Sequence, residues 1–180
     1  YVVVSALSNS GASSITHSLG TVHYDGPSDA SGLSHTTGVF NANFSSIKTI
    51  NLGACSLAIV GTSTAFALNA TGTTWPANTA VITMSAVNTV TCNTIDLNGT
   101  SLVLSGSGRP IFGTAGATIT MANFTVTGTT NRLDALLLNA DVVCSGTATL
   151  TGNSKTSRLL VQSETPGTQR TITAATVVSN

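Results

Sequence analysis

The chain has 180 residues, of which 41% are apolar and only 7% charged, with six Lys or Arg balanced by six Asp or Glu. That is enough apolar content for one domain with a core, so a disordered chain is excluded, and zero formal net charge removes the basic footprint that nucleic-acid binding needs. No apolar run reaches the roughly 20 residues that span a bilayer, so no membrane insertion is expected. The start Tyr1-Val2-Val3-Val4-Ser5 lacks both a basic signal-peptide flank and an initiator Met, which is expected of a processed or partial product.

Hydroxyl groups take the place of charge. Ser and Thr make up about three residues in ten, well above the ordinary share. They alternate with apolar residues, as in Ala117-Thr118-Ile119-Thr120-Met121-Ala122-Asn123-Phe124-Thr125-Val126-Thr127. A period of two places hydroxyls on one face of a strand and apolar side chains on the other.

In chain order, residues 1–45 stand apart. They hold His17, His23 and His35, both tyrosines, Asp25 and Asp29, and a Gly/Ser-rich stretch from Gly26 to Gly38. They read as an irregular N-terminal cap or attachment segment. Its apolar residues are too few for a separate core and too many to leave in water, so a partner is expected to bury them. From residue 46 to 180 the strand candidates are Lys48–Asn51, Ser56–Val60, Ala65–Asn69, Ala80–Met84, Val90–Leu97, Ser101–Ser105, Ala117–Thr127, Leu133–Leu138, Ala148–Thr151, Arg158–Gln162 and Arg170–Val178. Gly or Asn interrupts every apolar run before a helix could form.

Short strands at regular spacing fit a sandwich, a barrel or a solenoid. Internal similarity favours the last. Ile50-Asn51-Leu52 followed by Ser56-Leu57-Ala58-Ile59-Val60-Gly61 matches, without a gap, Ile95-Asp96-Leu97 followed by Ser101-Leu102-Val103-Leu104-Ser105-Gly106. A shorter echo links Ile82-Thr83-Met84 to Ile119-Thr120-Met121. Stacked coils leave such degenerate repeats because each reuses the same inward positions while its loops vary. The expected fold is therefore all-β: a parallel β-helix, or β-solenoid, from about residue 46, preceded by the irregular segment that would cover its first coil. In register, Leu52, Leu57 and Ile59 should point inward like Leu97, Leu102 and Leu104.

Three segments carry a resemblance. They are Ile47 to Gly53 leading into Leu57 to Thr62; Leu68-Asn69-Ala70-Thr71-Gly72-Thr73-Thr74-Trp75; and Arg158 to Thr173, in which a leucine-rich strand, the turn Ser163-x-x-x-Gly167-Thr168 and the strand Thr171-Ile172-Thr173 follow one another. They resemble a loose group of phage and environmental-virus surface proteins built on parallel β-helices. The resemblance implies that fold, expected as one section of a longer fibre, and a setting on the virion surface, but no active site, since the group is defined by architecture.

Residues able to carry chemistry are few. Glycan-cleaving β-helices use two carboxylates, one as acid and one as base or nucleophile. After residue 45 only Asp96, Asp134, Asp141 and Glu164 are acidic, and although Asp134 and Asp141 could meet across neighbouring turns, solvated turn positions are the ordinary reading; no catalytic residue is assigned. His17, His23, Asp25 and His35 match no ligand spacing, so no metal or other cofactor is assigned. Cys55, Cys92 and Cys144 lie far apart within strand-like segments and are expected to be small buried thiols, the odd count leaving at most one disulfide pair. Four Asn-x-Ser/Thr triplets, at Asn43, Asn69, Asn98 and Asn123, are what chance yields in such a composition; the structural use of Asn would be side-chain bonding between coils. Trp75 and, second, Tyr24 are the candidate ligand-binding residues, as aromatic platforms for a carbohydrate, but packing in the core or a turn is the favoured reading of Trp75.

These readings lead to a non-enzymatic structural protein: a virion component such as a tailed-phage fibre or spike with a host-attachment role. Its expected partners are other virion proteins, copies of itself, by analogy with phage spikes as a trimer, and a host surface glycan. A glycan-depolymerase spike on the same fold and a secreted bacterial adhesin passenger are the alternatives.

Overall fold

The computed structural model describes residues 2–3, 14–16, 18, 20–24, 32–62, 64–86, 89–131 and 133–180. Their strands pair in parallel throughout, each with the equivalent strand of the coil before and after, in about six coils. Each coil passes through three faces. The first begins with Val2–Val3, Gly20–His23, Lys48–Asn51 and Thr73–Thr74; the second runs from Ser34–Thr37 through Ser56–Ile59, Val81–Met84 and Ser101–Leu104 to Asn123–Thr127; the third runs from Ser14–Thr16 through Val39–Ala42, Thr64–Leu68, Thr89–Cys92, Ile111–Phe112 and Ala135–Leu138 to Leu160–Ser163. Toward the C-terminus the first face is rebuilt by Ile95–Asp96 and Thr118–Met121, and then the single strand Asp141–Thr151 spans the first and second faces together, paired on its far side with Ile172–Ser179.

The period-two reading explains why these segments are strands. Leu52, Leu57 and Ile59 are buried, as are Leu97, Leu102 and Leu104. Leu57, Ile82 and Leu102 form one inward column, and Ile59, Met84 and Leu104 the next, because parallel in-register pairing sets like residues above one another. The shorter echo has a different meaning. Ile82 stacks on Leu57 and Leu102, whereas Ile119 stacks on Ile95 and Val142, so the two Ile-Thr-Met triplets share inward alternation but occupy different columns.

Two long strand candidates are broken by corners. Val90–Leu97 resolves into Thr89–Cys92 and Ile95–Asp96, with Asn93 at the turn, and Ala117–Thr127 into Thr118–Met121 and Asn123–Thr127. At Ala122 the inward set slips phase, from Ile119 and Met121 to Phe124 and Val126, and the Ala122 N–H bonds to Thr100 O on the preceding coil. The candidate Ala148–Thr151 is the tail of a longer strand. It bulges at Ser145 and Gly146, where Asn123 Oδ1 accepts the Thr147 N–H at 2.9 Å and its Nδ2 donates to Ser101 Oγ at 3.0 Å.

The stacking starts before residue 46, which corrects the boundary expected for the cap. Gly20–His23, Ser34–Thr37 and Val39–Ala42 pair in register with later coils. Tyr24, Phe40 and Ala42 are buried by the chain itself, and Phe40 lies stacked on Phe66, ring centroids 5.6 Å apart and planes 15° apart. A partner is not needed to cover these residues. Much of the rest of 1–45, including Tyr1, His17, Asp25 and Asp29, lies outside the described residues.

Candidate functional site

Neither aromatic residue expected to serve as a platform faces solvent. Trp75 is 6% exposed and its Nε1 donates to Thr100 Oγ1 at 3.0 Å; Tyr24 is 2% exposed and packs edge-on against His35. Burial raises the Tyr24 phenol well above its ordinary value, with Cys55 adding to the shift. Both rings hold coils together. Thr100 is itself fully buried, 2.7 Å from Leu97 O and 2.9 Å from Asn78 Oδ1, so the indole is one member of a closed polar cluster between coils.

The other polar candidates are used in the same way. His23 Nδ1 lies 2.9 Å from Asn51 Nδ2 and His35 Nε2 2.6 Å from Tyr24 O, while His17 and Asp25 are outside the described residues. Among the described residues no three His, Cys, Asp or Glu side chains converge as metal ligands would. Asp134 precedes the strand Ala135–Leu138 and Asp141 opens the next strand, Asp141–Thr151, beyond the corner, and their carboxylates bond to different partners. Asp134 Oδ1 accepts the Gly108 N–H at 2.9 Å and its Oδ2 accepts the Thr129 N–H and hydroxyl; Asp141 Oδ1 accepts the Thr171 N–H at 2.7 Å. For Asp134, burial alone would raise the carboxyl pKa, but the hydrogen bonds from Gly108 and Thr129 outweigh it and hold the group below the ordinary carboxylate range.

Asparagines build a ladder at the corner between the third and first faces. Asn93 Nδ2 reaches Asn69 Oδ1 at 3.5 Å, and Thr114 Oγ1 donates to Asn93 Oδ1 at 3.1 Å. The triplet residues Asn69, Asn98 and Asn123 all bond through their side chains, Asn98 from Nδ2 to Trp75 O at 3.3 Å. Lys48, not singled out by its sequence context, is buried with its ammonium on the carbonyls of Phe44 and Asn69, and desolvation lowers its pKa. The three cysteines are buried thiols with no disulfide among them, and burial pushes Cys92 up to about 12 and Cys144 to about 11.

One surface is built differently. The connections from the second to the third face lengthen along the stack, from Gly38 alone to residues 105–110, then to 128–131 with 133–134, and to 152–159. The last three are tied into a ridge: Gly108 N–H to Asp134, Gly128 N–H to Thr151 O at 2.8 Å, and Ser157 Oγ to Thr130 O at 3.1 Å. Among the described residues, the exposed Lys and Arg are Arg109, Lys155 and Arg158, all on this ridge. Two fissures open there, one of about 210 Å³ lined by Arg109, Leu133, Asp134, Ala135 and Leu160, the other of about 430 Å³ lined by Ser154, Lys155, Arg158 and Asn180. Net neutrality concealed this cluster. The sequence signal for it is the placement of Arg109 and Lys155 in polar connections between strand candidates; Arg158 opens the candidate Arg158–Gln162, whose observed strand begins only at Leu160.

The geometry defines a parallel β-solenoid whose polar side chains largely bond coil to coil and which carries one basic loop edge. The chain matches no protein-family model, no curated protein and no solved structure.

Proposed function

We propose that the chain is a non-enzymatic structural component of a virus particle, an appendage such as a tailed-phage fibre or spike that presents a rigid shaft to the host. One observation carries this reading: side chains that would serve chemistry elsewhere are used to join coils, as Asp134 joins Gly108, Asp141 joins Thr171 and Trp75 joins Thr100. A stack bonded in this way resists local opening, because each coil is held by both neighbours. The outer column Thr36, Ala58, Thr83, Val103, Thr125, Thr149 and Val178 keeps the second face free of charge, which suits close lateral association. Its partners in this role are other virion proteins and further copies of itself, with a trimer the expected assembly, and its location is the virion surface. A depolymerase would call for two carboxylates across one groove, and Asp134 and Asp141 are not so arranged.

The test is to locate the chain. Peptides from it should be found by mass spectrometry in purified virus particles, and antibody raised against it should gold-label an appendage. Its absence from particles of the virus whose genome encodes it would overturn the proposal.

A further inference from the structure

We infer that the ridge formed by residues 105–110, 128–131, 133–134 and 152–159 is a binding site for an acidic polysaccharide, held through its carboxylate groups. The inference rests on the attachment reading and gives its ligand a chemical class. Three features support it. The first is charge segregation: on a chain with no net charge, the exposed cations of the described residues gather on one loop edge. None of Arg109, Lys155 and Arg158 has an ion-pair partner among the described residues, and Arg158 Nε donates to Lys155 O at 3.2 Å. Asp134 borders the first fissure, but its carboxylate is buried and already accepts bonds from Gly108 and Thr129, so it does not neutralise Arg109 by contact.

The second feature is the company Arg109 keeps. Leu133 is 76% exposed and Leu160 54% exposed, and both line its fissure. A planar guanidinium suits bidentate pairing with a carboxylate. Exposed leucines beside it offer an apolar surface to the C–H face of a sugar ring, and Ser154 and Asn180 in the neighbouring fissure offer hydrogen bonds to hydroxyls. The third feature is continuity. Arg158 lines one fissure and Leu160, two positions further along the chain, lines the other, so an extended polymer is expected to engage both. Nucleic acid is disfavoured on this surface, because strong phosphate binding draws on roughly 6–10 contacts and single-stranded bases need exposed aromatic platforms, which the ridge lacks.

The test uses the full chain. Oligogalacturonate, neutral dextran and a single-stranded oligonucleotide are titrated calorimetrically against the parent, Arg109→Gln and the double variant Lys155→Gln/Arg158→Gln. All three substituted residues are exposed, and circular dichroism checks that the fold is retained. Oligogalacturonate should bind with an affinity that falls as salt is raised, both variants should weaken it roughly tenfold or more, and dextran should not bind. The inference is overturned if oligogalacturonate does not bind, if the variants bind it like the parent, if dextran binds equally well, or if the oligonucleotide binds more tightly. Failure here with the chain still found on virus particles would leave the structural role standing. Binding here by a chain absent from particles would remove the virion reading and keep the site.

Discussion

Trp75 Nε1 donates to Thr100 Oγ1 across 3.0 Å, joining the first face of one coil to the turn that precedes Ser101–Leu104 on the next. The turn is demanding. Asn98 has φ 45° and Gly99 φ 97°, and a Cβ on Gly99 would run into the Asn78 carbonyl oxygen. The indole therefore bonds to a backbone feature with little freedom to move. Trp75→Phe should strand the Thr100 hydroxyl cluster and Thr100→Val the indole N–H, each costing about 1–3 kcal/mol in urea or guanidinium unfolding. The double variant should cost less than the two singles together. Native tryptophan emission should be that of a buried indole, and a solvent-exposed spectrum would contradict this placement.

Asp134 makes stability depend on pH with a definite sign. Its folded pKa lies below the unfolded value of about 3.9, so its stabilisation is fully present above that value and is lost as pH falls through the lower, folded one. Asp134→Asn should be less stable at pH 7 by about 1–3 kcal/mol, through loss of charge-assisted bonds from Gly108 and Thr129. Its acid unfolding curve should be flatter than the parent's below pH of about 4. Both aspartates accept bonds from neighbouring coils, so on the structural proposal Asp134→Asn with Asp141→Asn should leave any host-surface activity intact once the protein is folded. A loss of glycan cleavage by about 10²-fold or more would instead show acid–base catalysis.

The thiols should be silent in the native state. With Cys92 raised to about 12 and Cys144 to about 11, neither is a thiolate near pH 8, and both are buried. Ellman's reagent should leave the native protein unlabelled and modify three thiols after unfolding in guanidinium. Rapid native labelling of Cys92 would mean that the third face opens readily.

Removing residues 1–44 should expose Leu57, Ile59 and Phe66 as the new end of the stack, since Phe40 now covers Phe66 and His35 pairs in register with Leu57. The truncated chain should bind a hydrophobic dye and aggregate in size-exclusion chromatography. Phe40→Ala in the full chain should cost about 3–5 kcal/mol. A truncated chain that stays monodisperse with an unchanged melting temperature would mark the segment as a dispensable docking element.

Alternation is local, and so the sequence alone determined where most strands after Lys48 lie and which of their side chains turn inward. The corner at Ala122 was missed, because Ala117–Thr127 reads as one alternating run unless the phase slip between Met121 and Phe124 is noticed. The strands before residue 46 were not legible, because Ser34–Thr37 is polar and its inward His35 and Thr37 follow no apolar pattern. Which strand stacks on which is decided by contacts between residues about 20 to 30 positions apart, and no local period encodes that distance. Tertiary structure therefore assigned the two Ile-Thr-Met triplets to different columns, turned Trp75 and Tyr24 inward and bound Asp134 to Gly108. It also brought Arg109, Lys155 and Arg158 to one edge, since only the stacking of successive loops sums charges that the linear sequence keeps apart.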